Sequence, residues 1–167
     1  MDKTTERREH LYDLLKDFDT AMLVTPSADG HMHARPMAVA ELRAGVSAYF
    51  VTGADSPKVA EIQKNPSVTL TFQSSNQYAS VCGQATVVRD QALVDRLWKE
   101  AWKVWFPKGK SDPNIALIRF DGQDAEYWDN AGMQGVKFAF EAAKAYAKGE
   151  TPDSDDKQHA KVNLRSN

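Results

Sequence analysis

The sequence predicts a mainly β protein of the α+β kind, six antiparallel strands closed into a small barrel with helices at its flanks. Three observations carry this. Residues 20–52 hold three strand-like runs joined by turns too short for a crossover helix, so the strands must pair antiparallel. Residues 68–73 and 77–89 alternate apolar and polar side chains, the pattern of strands with one buried face. A further run over 115–128 completes about six strands, and closure removes the open edges that such a sheet would expose.

The elements follow in order. Leu11, Leu14, Leu15 and Phe18 recur at helical spacing, which predicts a helix over 4–17 with Thr4 or Thr5 as its N-cap. The period then changes to that of a strand over 20–26. Ser27-Ala28-Asp29-Gly30 supplies a hairpin turn, because Asp-Gly tolerates positive φ. The return strand covers 31–41, Arg43-Ala44-Gly45 turns again, and 46–52 is rich in β-formers.

A short helix is expected over 56–65, with Ser56 as cap, Pro57 at its first position and Asn65-Pro66 as its stop. In the strand over 77–89, Ala79, Val81, Gly83, Ala85 and Val87 share a face, and Gly83 marks a bulge or a close backbone approach. Asp90 caps a helix expected over 90–106, with Leu93, Leu97, Ala101 and Trp105 along one stripe. Residues 107–113 form a loop, and 115–120 and 125–128 the last strand or strands. Val136, Phe140 and Ala143 mark a final helix ending at Gly149. The expected organisation is one domain over 1–149 and a polar tail over 150–167, ordered only where something docks it.

Composition narrows the function. A net charge of −2 argues against general nucleic-acid binding, and no apolar run is long enough for a membrane-spanning helix. Cys82 is the single cysteine, so neither an intrachain disulfide nor a cysteine metal cluster can form, and a cytoplasmic location is the economical expectation. Four Trp, five Tyr and seven Phe suit a small barrel core and also a planar aromatic ligand.

One constellation carries chemistry. Arg35 lies on the second strand, the third ends in Phe50-Val51-Thr52, and Ser56-Pro57-Lys58 opens the next helix. Together these place two cations, hydroxyls and free helix N–H groups at neighbouring strand ends, where a dianionic phosphate could be held. Taken singly, Arg35 and Lys58 also fit solvated surface charges; the order and spacing join them.

This ordered set resembles the flavin-mononucleotide-binding split-barrel family of pyridoxamine 5'-phosphate oxidases and their relatives, most nearly its general stress protein 26 branch. The resemblance spans roughly residues 5–145. It implies that Arg35, Thr52, Ser56 and Lys58 bind a flavin phosphate, with Phe50 and Val51 completing the strand-end motif. It implies that Pro36, Met37 and Ala38 line the isoalloxazine edge. The cofactor implied is FMN, or alternatively FAD, and the assembly a homodimer with flavin at the subunit interface. Gln73 and Gln84 then become candidates for ring contacts. One departure stands out: oxidases acting on pyridoxamine phosphate carry a further Lys where this chain has Met37-Ala38-Val39-Ala40, so the resemblance does not extend to that substrate.

Trp98, Trp102 and Trp105 lie at helical spacing, and Trp128 follows in Glu126-Tyr127-Trp128. An aromatic stripe of this kind usually packs, which is the expectation for Trp98 and Trp102. Trp105-Phe106-Pro107-Lys108-Gly109 and Glu126-Tyr127-Trp128 resemble segments that approach the flavin in the stress-protein branch, so Trp105 and Trp128 are candidates to cover the ring.

Other motifs fall away. Gly109-Lys110-Ser111 is not a P-loop, because Val104 stands where the first glycine belongs and a helix precedes it. No dinucleotide-binding glycine motif and no Ser/His/Asp triad stands out. His31 and His33 share a strand face with Arg35 but lack a third metal ligand, so no metal site is assigned and exposed hairpin positions are expected. Cys82 reads as a small buried or half-buried residue.

Three functions remain open at this point: a flavin-dependent oxidoreductase acting on an unknown small molecule, a non-catalytic flavin-binding stress protein that stores or senses flavin, and a split barrel holding another cofactor such as a deazaflavin or haem. A purely structural dimer is the bland alternative.

Overall fold

A computed structural model describes residues 2–153 and 155–165. Six strands close into an antiparallel barrel: β1 (Thr20–Pro26), β2 (Met32–Arg43), β3 (Ser47–Gly53), β4 (Ser67–Gln73), β5 (Gln77–Val88) and β6 (Ile115–Asp129). Their order is β3-β2-β1-β4-β5-β6, and pairing of β3 with β6 completes the ring. Helix α1 (Lys3–Leu15) precedes the barrel, α2 (Pro57–Lys64) joins β3 to β4, α3 (Gln91–Leu97) follows β5, and α4 (Gly132–Lys148) follows β6.

The barrel fills with its own side chains. Leu23, Phe50, Leu70, Val81, Ile118 and Phe120 are fully buried, and Leu11, Leu14 and Leu15 of α1 join the same core. A ligand must therefore bind outside the barrel. A second apolar cluster lies on its outer wall, where Val94, Leu97, Trp102 and Phe106 pack on Tyr49, Ile115 and Leu117. It anchors the segment that later forms one wall of a groove.

Glycines allow two close approaches. At Gly83 the β5–β6 register shifts, and a Cβ there would stand 2.2 Å from the Asp121 carbonyl oxygen. The extra residue of this bulge is Gln123 of β6, so Gly83 marks the close approach opposite it. At Gly122 a Cβ would meet Leu164 at 2.9 Å and the Val46 carbonyl oxygen at 3.0 Å, while the Gly122 N–H donates to that carbonyl at 3.0 Å. Here β6 changes partners, from β3 over its first half to a seventh strand over its second.

That strand, β7 (His159–Asn163), lies inside the stretch expected to be a loose polar tail. Something does dock it. Its backbone pairs with Asp124–Trp128 of β6, and Ala160, Val162 and Leu164 are buried. Arg7 pairs with Asp156 at 2.7 Å, Arg8 donates to the Asn163 carbonyl at 2.7 Å, and Arg165 meets Asp124 at 2.7 Å. The pattern of polar residues outside the strand hid these alternate apolar positions.

Three further expectations need correction. Asp2, not Thr4 or Thr5, occupies the N-cap of α1. The helix expected over 90–106 breaks after Leu97: Trp98 and Lys99 are extended, and a 3-10 turn over Glu100–Val104 follows. The break lets Trp102 and Phe106 bury themselves while Ala101 and Trp105 stay exposed, so tertiary packing of two large aromatics overrides the helical stripe. Cys82 is exposed and faces the Thr69 hydroxyl at 3.5 Å. The cap at Asp90 forms as expected, accepting from the Leu93 N–H at 3.1 Å.

Candidate functional site

The site begins where β3 ends. Thr52 is buried at the end of that strand, and five residues later the chain enters α2. Ser56 occupies the N-cap position and Pro57 opens the helix. The Ser56 hydroxyl does not cap the helix, contrary to expectation. It accepts from the Lys58 ammonium at 2.6 Å, and the Thr52 hydroxyl accepts from the same nitrogen at 3.1 Å.

Lys58 is therefore a half-buried cation held by two hydroxyls. Among the described residues no carboxylate forms an ion pair with it, whereas Arg35 pairs with Glu61 at 2.8 Å. Burial pushes its pKa below the usual lysine value, and the charge of nearby Arg35 pushes the same way. A bound anion would relieve both effects.

Arg35 is placed differently. Its register partner is Leu23 on β1, and its guanidinium turns toward α2. One nitrogen donates to Glu61 Oε2 at 2.8 Å; the other contacts the Thr25 hydroxyl and reaches the Leu23 carbonyl at 3.5 Å. The buried Thr25 hydroxyl also donates to Glu61 Oε2 at 2.6 Å, and His33 Nδ1 lies 3.1 Å from Glu61 Oε1. The Thr25 hydroxyl, then His33 and Arg35, hold the Glu61 carboxyl below the usual glutamate range. His31 and His33 are exposed, and no cluster suited to a metal ion occurs among the described residues.

Beside Lys58 opens a groove of about 320 Å³. One wall is Pro36, Met37 and Ala38 of β2, and the floor is Val51, Thr52 and Gly53 of β3. Trp105 and Phe106 form the opposite wall, with Phe106 buried and Trp105 65% exposed at the rim. Asn114 closes one end. It also fixes the loop after β3: its carbonyl accepts from the Ala54 N–H at 2.7 Å, and its side-chain oxygen from the Asp55 N–H at 3.3 Å.

Of the residues singled out from sequence, Pro36, Met37, Ala38, Val51, Thr52, Lys58 and Trp105 line this one groove, with Ser56 bonded to Lys58 at its edge, whereas Arg35 is outside the lining and bonded to Glu61. Phe50 is fully buried in the barrel core, and its side chain does not line the groove. Gln73 and Trp128 lie elsewhere, on an outer row across β4, β5, β6 and β7 formed by Gln73, Tyr78, Trp128 and His159. Trp128 stacks on His159 there, with ring centroids 5.1 Å apart. Gln84 donates to the Ser67 hydroxyl at 3.1 Å. Trp98 and Trp102 pack edge to face at 5.7 Å, as expected.

Sequence reasoning missed Thr25, Glu61 and Asn114, and named Phe106 only within the segment that follows Trp105. Glu61 had a signal: it stands three residues after Lys58 on a helix, hence on the same face. Asn114 had none, since its role depends on how a loop meets a strand.

An antiparallel barrel split along one strand, with a cation and hydroxyls gathered where β3 meets α2, defines the split-barrel class. The chain belongs to the pyridoxamine 5'-phosphate oxidase-like family, whose model matches residues 6–153. It is similar to general stress protein 26 of Bacillus subtilis, with 27% identity over 130 residues, 75% of this chain and 89% of that protein. Among solved structures it is similar to the general stress FMN/FAD binding protein of Xanthomonas citri, at 34% identity and a TM-score of 0.66, covering 77% of this chain and 92% of that one. A general stress protein 26 homologue from Jannaschia sp. CCS1 shares the fold at a TM-score of 0.73 and 23% identity, covering 95% and 99% of the two chains. No helix of the described residues is long and apolar enough to cross a membrane.

Proposed function

We propose that the protein binds FMN in the groove beside Lys58, with the flavin phosphate at the junction of β3 and α2. The observation that carries this is Lys58 itself, a half-buried ammonium fixed by the Thr52 and Ser56 hydroxyls and with no carboxylate ion pair among the described residues. Such a donor set suits a dianionic phosphate. The apolar walls of Pro36, Met37 and Trp105 suit a flat ring. The Xanthomonas citri relative described as FMN/FAD binding supports the same ligand.

When bound, flavin supplies redox chemistry. This chain's residues bind and orient. Lys58, Thr52 and Ser56 would hold the phosphate with Arg35 as the second cation, the β2 segment Pro36–Ala38 would border the ring, and Trp105 would shield one side from water. A second copy would complete the site, so the protein acts as a homodimer in this reading. Two features support that: a groove of about 320 Å³ is at the low end for a small-molecule site, and the row of Gln73, Tyr78 and Trp128 is exposed in its own chain. A cytoplasmic location accords with a single cysteine.

Redox turnover on a small molecule is one outcome of this reading. The other is storage or sensing of flavin without a dedicated substrate, favoured by the lining itself, in which Lys58 is the only titratable side chain. A titration with FMN, FAD and riboflavin, followed by an assay for oxidation of a reduced nicotinamide cofactor, tests both. The reading expects FMN to saturate near one per chain. Binding without turnover selects storage; no binding of any flavin overturns the proposal.

A further inference from the structure

Among the described residues Glu61 is the one carboxylate joined to the cation cluster, and its position poses a physical question. A negative charge near a phosphate site weakens phosphate binding by repulsion. Yet Glu61 is only 13% exposed at its side chain, and it takes three partners from two strands: Thr25 of β1, and His33 and Arg35 of β2. Thr25 and Arg35 both bond the same oxygen, Oε2, and Arg35 also touches the Thr25 hydroxyl, so the three side chains form a closed triangle.

An arginine side chain has several rotatable bonds, and fixing it costs conformational entropy. The triangle fixes it in advance. It leaves the guanidinium bonded at 2.8 Å to a carboxylate one helical turn from Lys58, on the same face of α2. Glu61 also sits three residues beyond Lys58 on α2, so one helix sets the position of both cations, one directly and one through its carboxylate.

We infer that Glu61 is a positioning residue for the phosphate cradle: with Thr25 it holds Arg35 preorganised beside Lys58, and this outweighs its own charge repulsion. The inference rests on the flavin-phosphate reading above. It makes a prediction opposite in sign to simple electrostatics. Removing the carboxylate charge should tighten phosphate binding if charge decides, and weaken it if orientation decides.

The test compares affinity for FMN with affinity for riboflavin, which lacks the phosphate, in wild type, Glu61→Gln, Arg35→Ala and the double variant. The ratio of the two affinities isolates the phosphate and is insensitive to general loosening of the fold. Glu61→Gln is expected to lower the FMN preference roughly tenfold, within the range for directly coupled pairs. In the Arg35→Ala background the same change should alter it less than about twofold, because the residue it positions is gone. Should Glu61→Gln fail to fold, Thr25→Val opens the same triangle and is expected to lower the preference in the same direction. An unchanged or increased preference in the single variant overturns the inference, as does an equal loss in the Arg35→Ala background. A wild-type protein with no preference for FMN over riboflavin sinks the phosphate reading itself, a distinguishable failure.

Discussion

Lys58 is the residue at which structure and function pull against each other. Its pKa in the folded chain lies below the unfolded value, so its contribution to stability is greatest above the unfolded pKa and is lost as pH falls through the folded one. The flavin-free protein carries the cost of desolvating the ammonium. Lys58→Met is therefore expected to leave the melting temperature of flavin-free protein unchanged, or to raise it by a few degrees, while abolishing the stabilisation that FMN gives. Thermal melts with and without FMN read both effects. A large destabilisation without ligand would mean that Lys58 is a structural residue. At this scale the sequence was informative about types and order: Arg35, Thr52, Ser56 and Lys58 could be named. It could not reveal that Arg35 turns to Glu61, because that contact joins β2 to α2 across 26 positions.

At the scale of elements, strands were far more legible than helices. Alternation specified β1, β4 and β5 to within a residue or two, since one face of each must be buried. Residues 90–106 misled because Trp, Leu and Val fit a helix locally, while burial of Trp102 and Phe106 on the barrel wall favours a break at Trp98. The β6 bulge opposite Gly83 offers a stringent check. Gly83→Ala would force a Cβ to 2.2 Å from the Asp121 carbonyl oxygen, backbone that cannot yield easily. The expected loss is about 2–3 kcal/mol, or roughly 5–10 °C in Tm for a chain of this size; a Tm within a degree of wild type would show that the bulge is soft.

The tail supplies a second check at the same scale. Truncation after Gly149 removes the buried Ala160, Val162 and Leu164 and opens the β6 edge over Asp124–Trp128. Lower thermal stability and self-association on a sizing column are expected, because an unpaired edge recruits other strands. A truncated chain as stable and as well behaved as the full one would make β7 dispensable.

For the whole molecule, closure was predictable from strand count and short turns, whereas the change of partner along β6 was not. It requires Gly122 and a strand from the far end of the chain, and neither leaves a periodic trace. The proposed dimer brings the exposed row of Gln73, Tyr78 and Trp128 to the groove of a second copy. Light scattering should then give twice the mass of one chain, and Trp128→Ala should weaken FMN binding although Trp128 lies outside its own chain's groove. A monomer that binds FMN at full affinity would rule out a shared site. The most direct test of the central claim is a fluorescence titration of wild-type protein with FMN beside an Arg35→Ala/Lys58→Ala double variant. The account predicts saturation near one flavin per chain in the first and loss of that binding in the second. Equal binding by both proteins, or none by either, would contradict it.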